Sequence, residues 1–253
     1  MAKATLMQEH RDLEPPPALS DLQARGPLAL FVDFDGTLVD LARTPDEIDV
    51  PKGLGVDLCA LARRLDNRLA LVSGRAINDI DRHLGTHPLA RAGSHGIDRL
   101  DAQGNPLGDP AEGMPDEVQQ SVRRFADEAG VDLEEKTHGC ALHFRRMPAL
   151  EERAIAFARE LADEHDLAIK HGKGIVELVH PGAHKGGAVR AFMQVEPFAG
   201  ALPVFIGDDV TDEDGMEAAA DLGGFGILVG DPRPTAARYR LPGTRAVHEW
   251  LGI

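Results

Sequence analysis

Asp33 and Asp35 stand two apart at the end of the apolar run Leu28–Val32, in the stretch LALFVDFDGTLVD. Residues two apart on a strand share a side, so both carboxylates can look past the strand's C-terminal edge while Phe34 turns toward the core. Close carboxylates repel each other and persist only with a cation between them or a shared proton. The pattern suits metal-assisted chemistry, and it equally suits a strand followed by an Asp-Gly turn. Three further stations follow along the chain: Ser73 in Ser73-Gly74-Arg75, Lys185 ahead of Gly186-Gly187, and the acidic run from Asp208 to Asp214. A serine hydroxyl at a strand end can donate to an anion's oxygen, assisted by the N–H groups of the next helix. Lys185 would supply positive charge, or be a plain lysine at an exposed helix start. Asp209, Asp212, Glu213 and Asp214 can sit at a helix N-terminus, which favours acids. Arg75 would touch substrate or form a surface ion pair.

Other chemistries fail on spacing. The run Gly182–Gly187 lacks the full Gly-rich phosphate loop, and no HExxH occurs. His180 and His184 are four apart, but Pro181-Gly182 between them prevents one helical face.

The elements that must position these groups alternate. Leu28–Val32 reads as a strand buried on both faces, followed by a polar loop over Thr44–Pro51. Leu54, Leu58, Leu61 and Leu65 mark a helix; Leu69–Val72 is a short buried strand that ends at Ser73. Ile77, Ile80 and Leu84 mark a helix stopping at Gly85, and Leu89–Ala92 is a weaker strand. A turn-rich stretch, Gly104-Asn105-Pro106 and Gly108-Asp109-Pro110, then opens a second unit. In it, Val118, Val122 and Phe125 mark a helix ended by Gly130. Strands Leu133–Lys136 and Cys140–Arg146 join at Thr137-His138-Gly139, and a helix runs near Leu150–His165. Ala168–His171 and Ile175–Val179 complete an αββαββ order. The last third returns to alternation, with a helix through Val189–Met193, a strand at Pro203–Ile206, a helix through Met216–Leu222, a strand at Phe225–Val229 and a terminal helix at Ala246–Leu251. Such alternation means a doubly wound parallel sheet. The expected division is a disordered-looking N-terminal tail over 1–26, a core in two parts over 27–108 and 182–253, and an inserted α/β unit over 109–181.

Composition narrows the partners. With 27 basic and 42 acidic residues the chain carries −15, which repels nucleic acid and anionic membrane alike. One Trp and one Tyr leave little for stacking, so recognition should be polar, and no surface stretch points to a macromolecular partner. No apolar run reaches the length of a membrane span and no signal peptide is visible. The cysteines, Cys59 and Cys140, form no CxxC pair and read as buried thiols of a reducing compartment. The expected location is the cytoplasm.

The motifs DFDGT, SGR, the lysine before Gly-Gly and GDDVTD, in this order over residues 27–253, resemble the haloacid dehalogenase superfamily of phosphoryl-transfer enzymes. The resemblance implies a Rossmann-like core of that type with an inserted cap. It makes Asp33 the nucleophile that forms an aspartyl phosphate, and Asp35 the acid and base whose acidity burial or negative neighbours would tune. Ser73 and Lys185 complete the catalytic set. It implies Mg2+ held by Asp33, the Asp35 carbonyl and Asp208, with Asp209 and Asp212 behind them. The stretches GSHG, LEEKTHGCALHFR and GKGIVELVHPGAHKGG resemble the trehalose-6-phosphate phosphatases in particular. By that resemblance Arg75, Glu134, Lys136, Arg145, Lys173 and Glu177 bind the sugar phosphate, trehalose 6-phosphate, in the last step of trehalose biosynthesis. Glu134 and Lys136, like Lys173 and Glu177, are spaced to share a sheet face, the face of a sugar site or an ordinary solvated one. His95 and His143 read as packing or supporting residues. Ile175 stands where some relatives carry an amide, and Phe144 where the family often has Tyr. A phosphatase for another sugar phosphate (sucrose 6-phosphate or mannosyl phosphoglycerate), a sugar phosphomutase and a non-catalytic sensor share the fold and stay open at this point.

Overall fold

The structure, a computed structural model, describes residues 13–42, 47–108, 113–136, 138–172, 174–181 and 183–253. It divides into two compact units, one comprising Met1–Gly108 and His184–Ile253, the other Asp109–Ala183. Thr137, Lys173, Gly182, Asp109-Pro110 and the start of the Thr44–Pro51 loop lie outside the described residues.

The first unit runs α1 (Leu19–Gln23), β1 (Leu28–Val32), α2 (Leu54–Arg64), β2 (Leu69–Val72), α3 (Ile77–Leu84), β3 (Ala90–Gly93) and β4 (Asp98–Leu100). After the inserted elements α4 (Asp116–Ala129), β5 (Asp132–Lys136), β6 (Gly139–His143), α5 (Glu151–His165), β7 (Ala168–Gly172) and β8 (Ile175–Val179), it resumes. Its second part holds α6 (Lys185–Phe192), β9 (Leu202–Gly207), α7 (Glu213–Asp221), β10 (Phe225–Val229), β11 (Tyr239–Leu241) and α8 (Thr244–Leu251).

The seven strands order as β11-β10-β9-β1-β2-β3-β4, all parallel except the β3–β4 pair. Strand β1 is buried along its whole length because it is central: Val32 pairs with Leu71 of β2 on one side and Ile206 of β9 on the other. A strand covered on both faces must be apolar at every position, which is why this run shows no alternation. Leu30, Val32, Leu71 and Ile206 face one layer with Leu58, Leu61, Ile80 and Val247; Phe31, Val72 and Phe205 face the other with Val189, Phe192 and Met216. Phe31 stacks on Phe198 with ring centroids 5.6 Å apart. Helices thus cover both faces of a doubly wound sheet. Strand order reverses between β1 and β9, and in such sheets the crevice beyond that switch point is where ligands bind.

Two parts of the first unit depart from the sequence expectation. The described part of the expected tail is docked: Leu19 and Leu22 are buried in the core, Glu14 O accepts from Arg240 N at 3.1 Å, and Pro17 O accepts from the Trp250 indole at 2.8 Å. The triple proline masked a short amphipathic helix behind it. Strands β4 and β11 carry no sequence signal, since each is three residues long with a central arginine and sits at a sheet edge. Among the described residues no helix is long and apolar enough to cross a membrane. Both cysteines are buried.

The inserted unit has the expected αββαββ order, with an antiparallel sheet β5-β6-β8-β7. One face buries Cys140, Leu142, Val176 and Leu178 against Val118, Val122, Ala158 and Leu161 of the two helices, where Phe125 stacks on Phe157 at 4.2 Å. Register places Glu134, Ala141, Glu177 and Lys170 in one row across the four strands, on the opposite face.

Candidate active site

The site is built where β1 and β9 end side by side. Asp33 follows β1 directly, is buried, and donates its N–H to Ile206 O at 2.9 Å, continuing the ladder by one rung. The chain then folds back tightly, with Leu38 N and Val39 N both donating to Phe34 O and Gly36 N to Val39 O. Gly36 adopts φ +78°, and a Cβ there would lie 2.2 Å from Asp208 Oδ2. Gly207, at the end of β9, has the same function of making room: a Cβ would lie 2.3 Å from Asp212 Cγ. Two glycines therefore let two acids close on Asp33.

Lys185, first residue of α6, reaches into this space. Its Nζ donates to Asp33 Oδ1 at 2.7 Å and to Asp212 Oδ1 at 2.6 Å, and all three side chains are buried. Burial alone would push the lysine down, but Asp212 and Asp33 hold its ammonium well above the ordinary range. Asp33 is pushed well above the carboxylate range by burial and by Asp212, with Lys185 offsetting only part of this. Asp208 rises to about 7, from burial first and then from Asp212 and Asp209.

Asp33, Asp208 and Asp212 each offer an oxygen within 4.8 Å of the others. Three carboxylates against one ammonium leave an excess of negative charge, and Asp208 Oδ1 is buried with no hydrogen-bond partner. Hard carboxylate oxygens, an orphaned acceptor and raised carboxyl pKa values all fit a small divalent cation. Asp212 is already occupied: its Oδ1 holds Lys185, and its Oδ2 accepts from Asp208 N and Asp209 N, both at 3.0 Å. It shapes the acidic turn, and Asp33 and Asp208 keep the coordinating capacity. Asp209, exposed, pairs with Asp212 in a reciprocal capping box.

Ser73 directly follows β2, the neighbour of β1, and is buried; its Oγ accepts from Arg75 N at 3.1 Å. Arg75 holds both oxygens of Asp35, Nε to Oδ2 at 2.7 Å and Nη2 to Oδ1 at 2.8 Å, and reaches Asp79 with Nη1 at 2.5 Å. The carboxylate of Asp35 is thus not part of the three-acid cluster, and its neighbour is positive where the sequence pointed to burial or negative charge. The turn Ser94-His95-Gly96 supports this corner. Ser94 N donates to Arg75 O at 2.7 Å and His95 N to Ser73 O at 3.0 Å, with Ser94 and His95 both at positive φ. Two adjacent left-handed non-glycine residues are costly, and such strain collects at functional sites.

Arg233 was not visible in the sequence as a site residue. Its Nη2 donates to Asp209 O at 2.7 Å and Asp208 O at 3.2 Å, its Nε to Asp208 O at 3.3 Å, and its Nη1 to Pro234 O and to the Glu213 carboxylate. Nothing in the local pattern of Asp231-Pro232-Arg233-Pro234 marks it, because the two carbonyls it grips, Asp208 O and Asp209 O, lie 25 and 24 residues away.

In the second unit, Glu134 and Glu177 stand in the row described above, and Glu134 Oε2 lies 3.1 Å from His143 Nε2. Lys136 occupies the β5 position opposite Gly139. Arg145 is exposed and its backbone packs against Gly174. Phe144 is buried on the helix side, away from that face. Lys173 is outside the described residues.

A sequence profile described as Trehalose-phosphatase matches residues 31–245. The chain is 35% identical over 229 residues to the trehalose-6-phosphate phosphatase of Escherichia coli (strain K12), covering 88% of this chain and 85% of that protein. It is 40% identical over 213 residues to a probable trehalose-phosphate phosphatase of Sinorhizobium fredii, covering 82% and 80%. In three dimensions it is similar to the crystal structure of a trehalose-6-phosphate phosphatase related protein, with TM-score 0.70 and 26% identity over 88% of this chain and 95% of that one. A phosphatase of the haloalkanoate (HAD) enzyme superfamily from Bacteroides thetaiotaomicron shares the fold at TM-score 0.61 and 14% identity, covering 89% and 93%. With the profile spanning most of the chain and two relatives above 30% identity over most of their lengths, the chain belongs to the trehalose-phosphatase family.

Proposed function

We propose that the protein hydrolyses trehalose 6-phosphate to trehalose and inorganic phosphate as a Mg2+-dependent cytoplasmic enzyme, in the last step of trehalose biosynthesis. The observation that carries this is the Lys185 ammonium held between Asp33 and Asp212 beside the orphaned oxygen of Asp208, at the switch point of the sheet. Asp33 and Asp208 would hold the ion, with the Asp35 carbonyl beside them. Bound there, Mg2+ supplies the positive charge that lets a carboxylate meet a phosphate dianion.

Lys185 fixes Oδ1 of Asp33, so the other oxygen is the one that attacks phosphorus. The P–O bond to the sugar breaks as the aspartyl phosphate forms, and Asp35 gives its proton to the departing oxygen. Asp35 then takes a proton from the water that hydrolyses the acyl phosphate. To do either it must release at least one of its two bonds to Arg75. Ser73 donates to a phosphate oxygen, and Asp209 and Asp212 keep the acidic turn in shape. The inserted unit, 109–181, acts as the cap that reads the sugar. Glu134 and Glu177 accept from sugar hydroxyls, and Lys136, Arg145, Lys173 and Arg75 donate, in keeping with a chain poor in Trp and Tyr.

Phosphate release from trehalose 6-phosphate, sucrose 6-phosphate and glucose 6-phosphate, with Mg2+ and with chelator, tests the assignment. Mg2+-dependent turnover of the trehalose ester, abolished in Asp33→Asn, is the expected result. Preference for another ester would overturn the role of the inserted unit. Activity surviving in Asp33→Asn would overturn the nucleophile.

A further inference from the structure

The turn that carries Asp208 is gripped from two sides. On its N–H side, Asp212 Oδ2 accepts from Asp208 N and Asp209 N. On its C=O side, the guanidinium of Arg233 donates to Asp208 O and Asp209 O, spanning two consecutive carbonyls as a planar fork can and an ammonium cannot. Arg233 is itself braced. Glu213 takes its Nη1 through Oε1, and through Oε2 accepts from Thr235 Oγ1 at 3.1 Å and Ala236 N at 2.7 Å, tying the Arg233 loop to the start of α7.

We propose that Arg233, braced by Glu213, is a positioning residue that sets where the Asp208 carboxylate stands for the divalent cation, an inference that rests on the metal-dependent reading above. The grip is on the backbone of the acid itself. With its carbonyls released, the Asp208–Asp209 peptide can turn, and its carboxylate then leaves the narrow space against Gly36. The fold near the turn has other supports: the Asp209–Asp212 capping box starts the helical turn, and Met216 and Ala219 anchor α7 in the core. Loss of Arg233 therefore acts on the acid more than on the sheet.

The test is Mg2+ titration calorimetry on the metal-free full-length protein, with phosphate release measured against both Mg2+ and trehalose 6-phosphate. Arg233→Lys should weaken Mg2+ binding by about 10-fold or more, the usual scale for groups that orient metal ligands. At saturating Mg2+ its KM for the sugar phosphate should match wild type and most of kcat should return. Glu213→Gln should shift Mg2+ affinity in the same direction by less. Mg2+ affinity of Arg233→Lys within twofold of wild type overturns the proposal, and so does normal Mg2+ affinity with a raised KM. If Arg233→Lys is unfolded by circular dichroism, unchanged Mg2+ affinity in Glu213→Gln overturns it instead. Wild-type protein that takes up no Mg2+ would overturn the metal reading and the role of Arg233 together, whereas normal wild-type uptake with unaltered variants removes the role of Arg233 alone.

Discussion

Lys185 and Asp33 lie 152 residues apart in the chain and 2.7 Å apart in space, and the same ammonium holds Asp212 at 2.6 Å. Replacing Lys185 by Met leaves three close carboxylates with no cation among them. Breaking a buried pair this way costs about 3–5 kcal/mol. Asp33 and Asp208 hold protons more readily than ordinary carboxyls, so part of that cost disappears in acid. Urea unfolding in chelator should show Lys185→Met far less stable than wild type at pH 8 and closer to it at pH 6, with turnover lost at both. Equal stability at pH 8 would remove the ammonium from its central place.

Asp208, pushed up to about 7 by burial and by Asp212 and Asp209, gives the proposed cation site a pH dependence. A folded-state value above the unfolded one means that the native protein binds this proton more tightly, so the metal-free fold loses stability as pH rises through about 7. Mg2+ must displace the proton, so its affinity should be flat above pH 8 and fall by about tenfold per unit below 7. Calorimetry at pH 8, 7 and 6 reads this directly; an affinity that does not change would contradict it.

Gly36→Ala places a methyl where Asp208 Oδ2 now sits, at a backbone φ of +78° that costs an alanine about 1–2 kcal/mol. The acid must move. Mg2+ affinity should collapse while the melting temperature in chelator drops only modestly, and a variant with wild-type Mg2+ affinity would show that Asp208 does not need this approach.

The docked segment before β1 makes a prediction far from the chemistry. Leu22 is buried against the same layer as Leu58 and Leu251. Leu22→Ala should lower stability by about 2–5 kcal/mol, and Trp250→Phe, which leaves Pro17 O without its indole donor, by about 1 kcal/mol. Both should keep wild-type KM below their melting temperatures. Thermal unfolding with no shift in either variant would mean that the segment does not dock in solution.

Asp33, Ser73, Lys185 and Asp208 could be read from sequence because each is the first polar residue after an apolar run or the first of a helix, and a parallel sheet gathers such positions at one edge. The pairing of Asp35 with Arg75 was not legible, since adjacent motifs say nothing about which way a side chain turns. Arg233 was hidden for a related reason: its partners are carbonyls on another loop, and carbonyls leave no mark in a sequence. Strands β4 and β11 were missed because three residues at an edge give no period to detect. The inserted sheet, by contrast, was plain, as its two hairpins are local and its buried face alternates.

The central place of β1 has a consequence for the protein's birth. One edge of this strand pairs with β2, close behind it, but the other pairs with β9, which lies beyond the entire inserted unit. At ordinary rates of synthesis, Leu28–Val32 waits roughly 10–35 s for Leu202–Gly207 to emerge. In that interval the inserted unit, whose strands pair only with one another, can finish folding. A five-residue apolar edge stands open meanwhile, so the newborn chain passes through a stage in which its most central strand is its most exposed template for association.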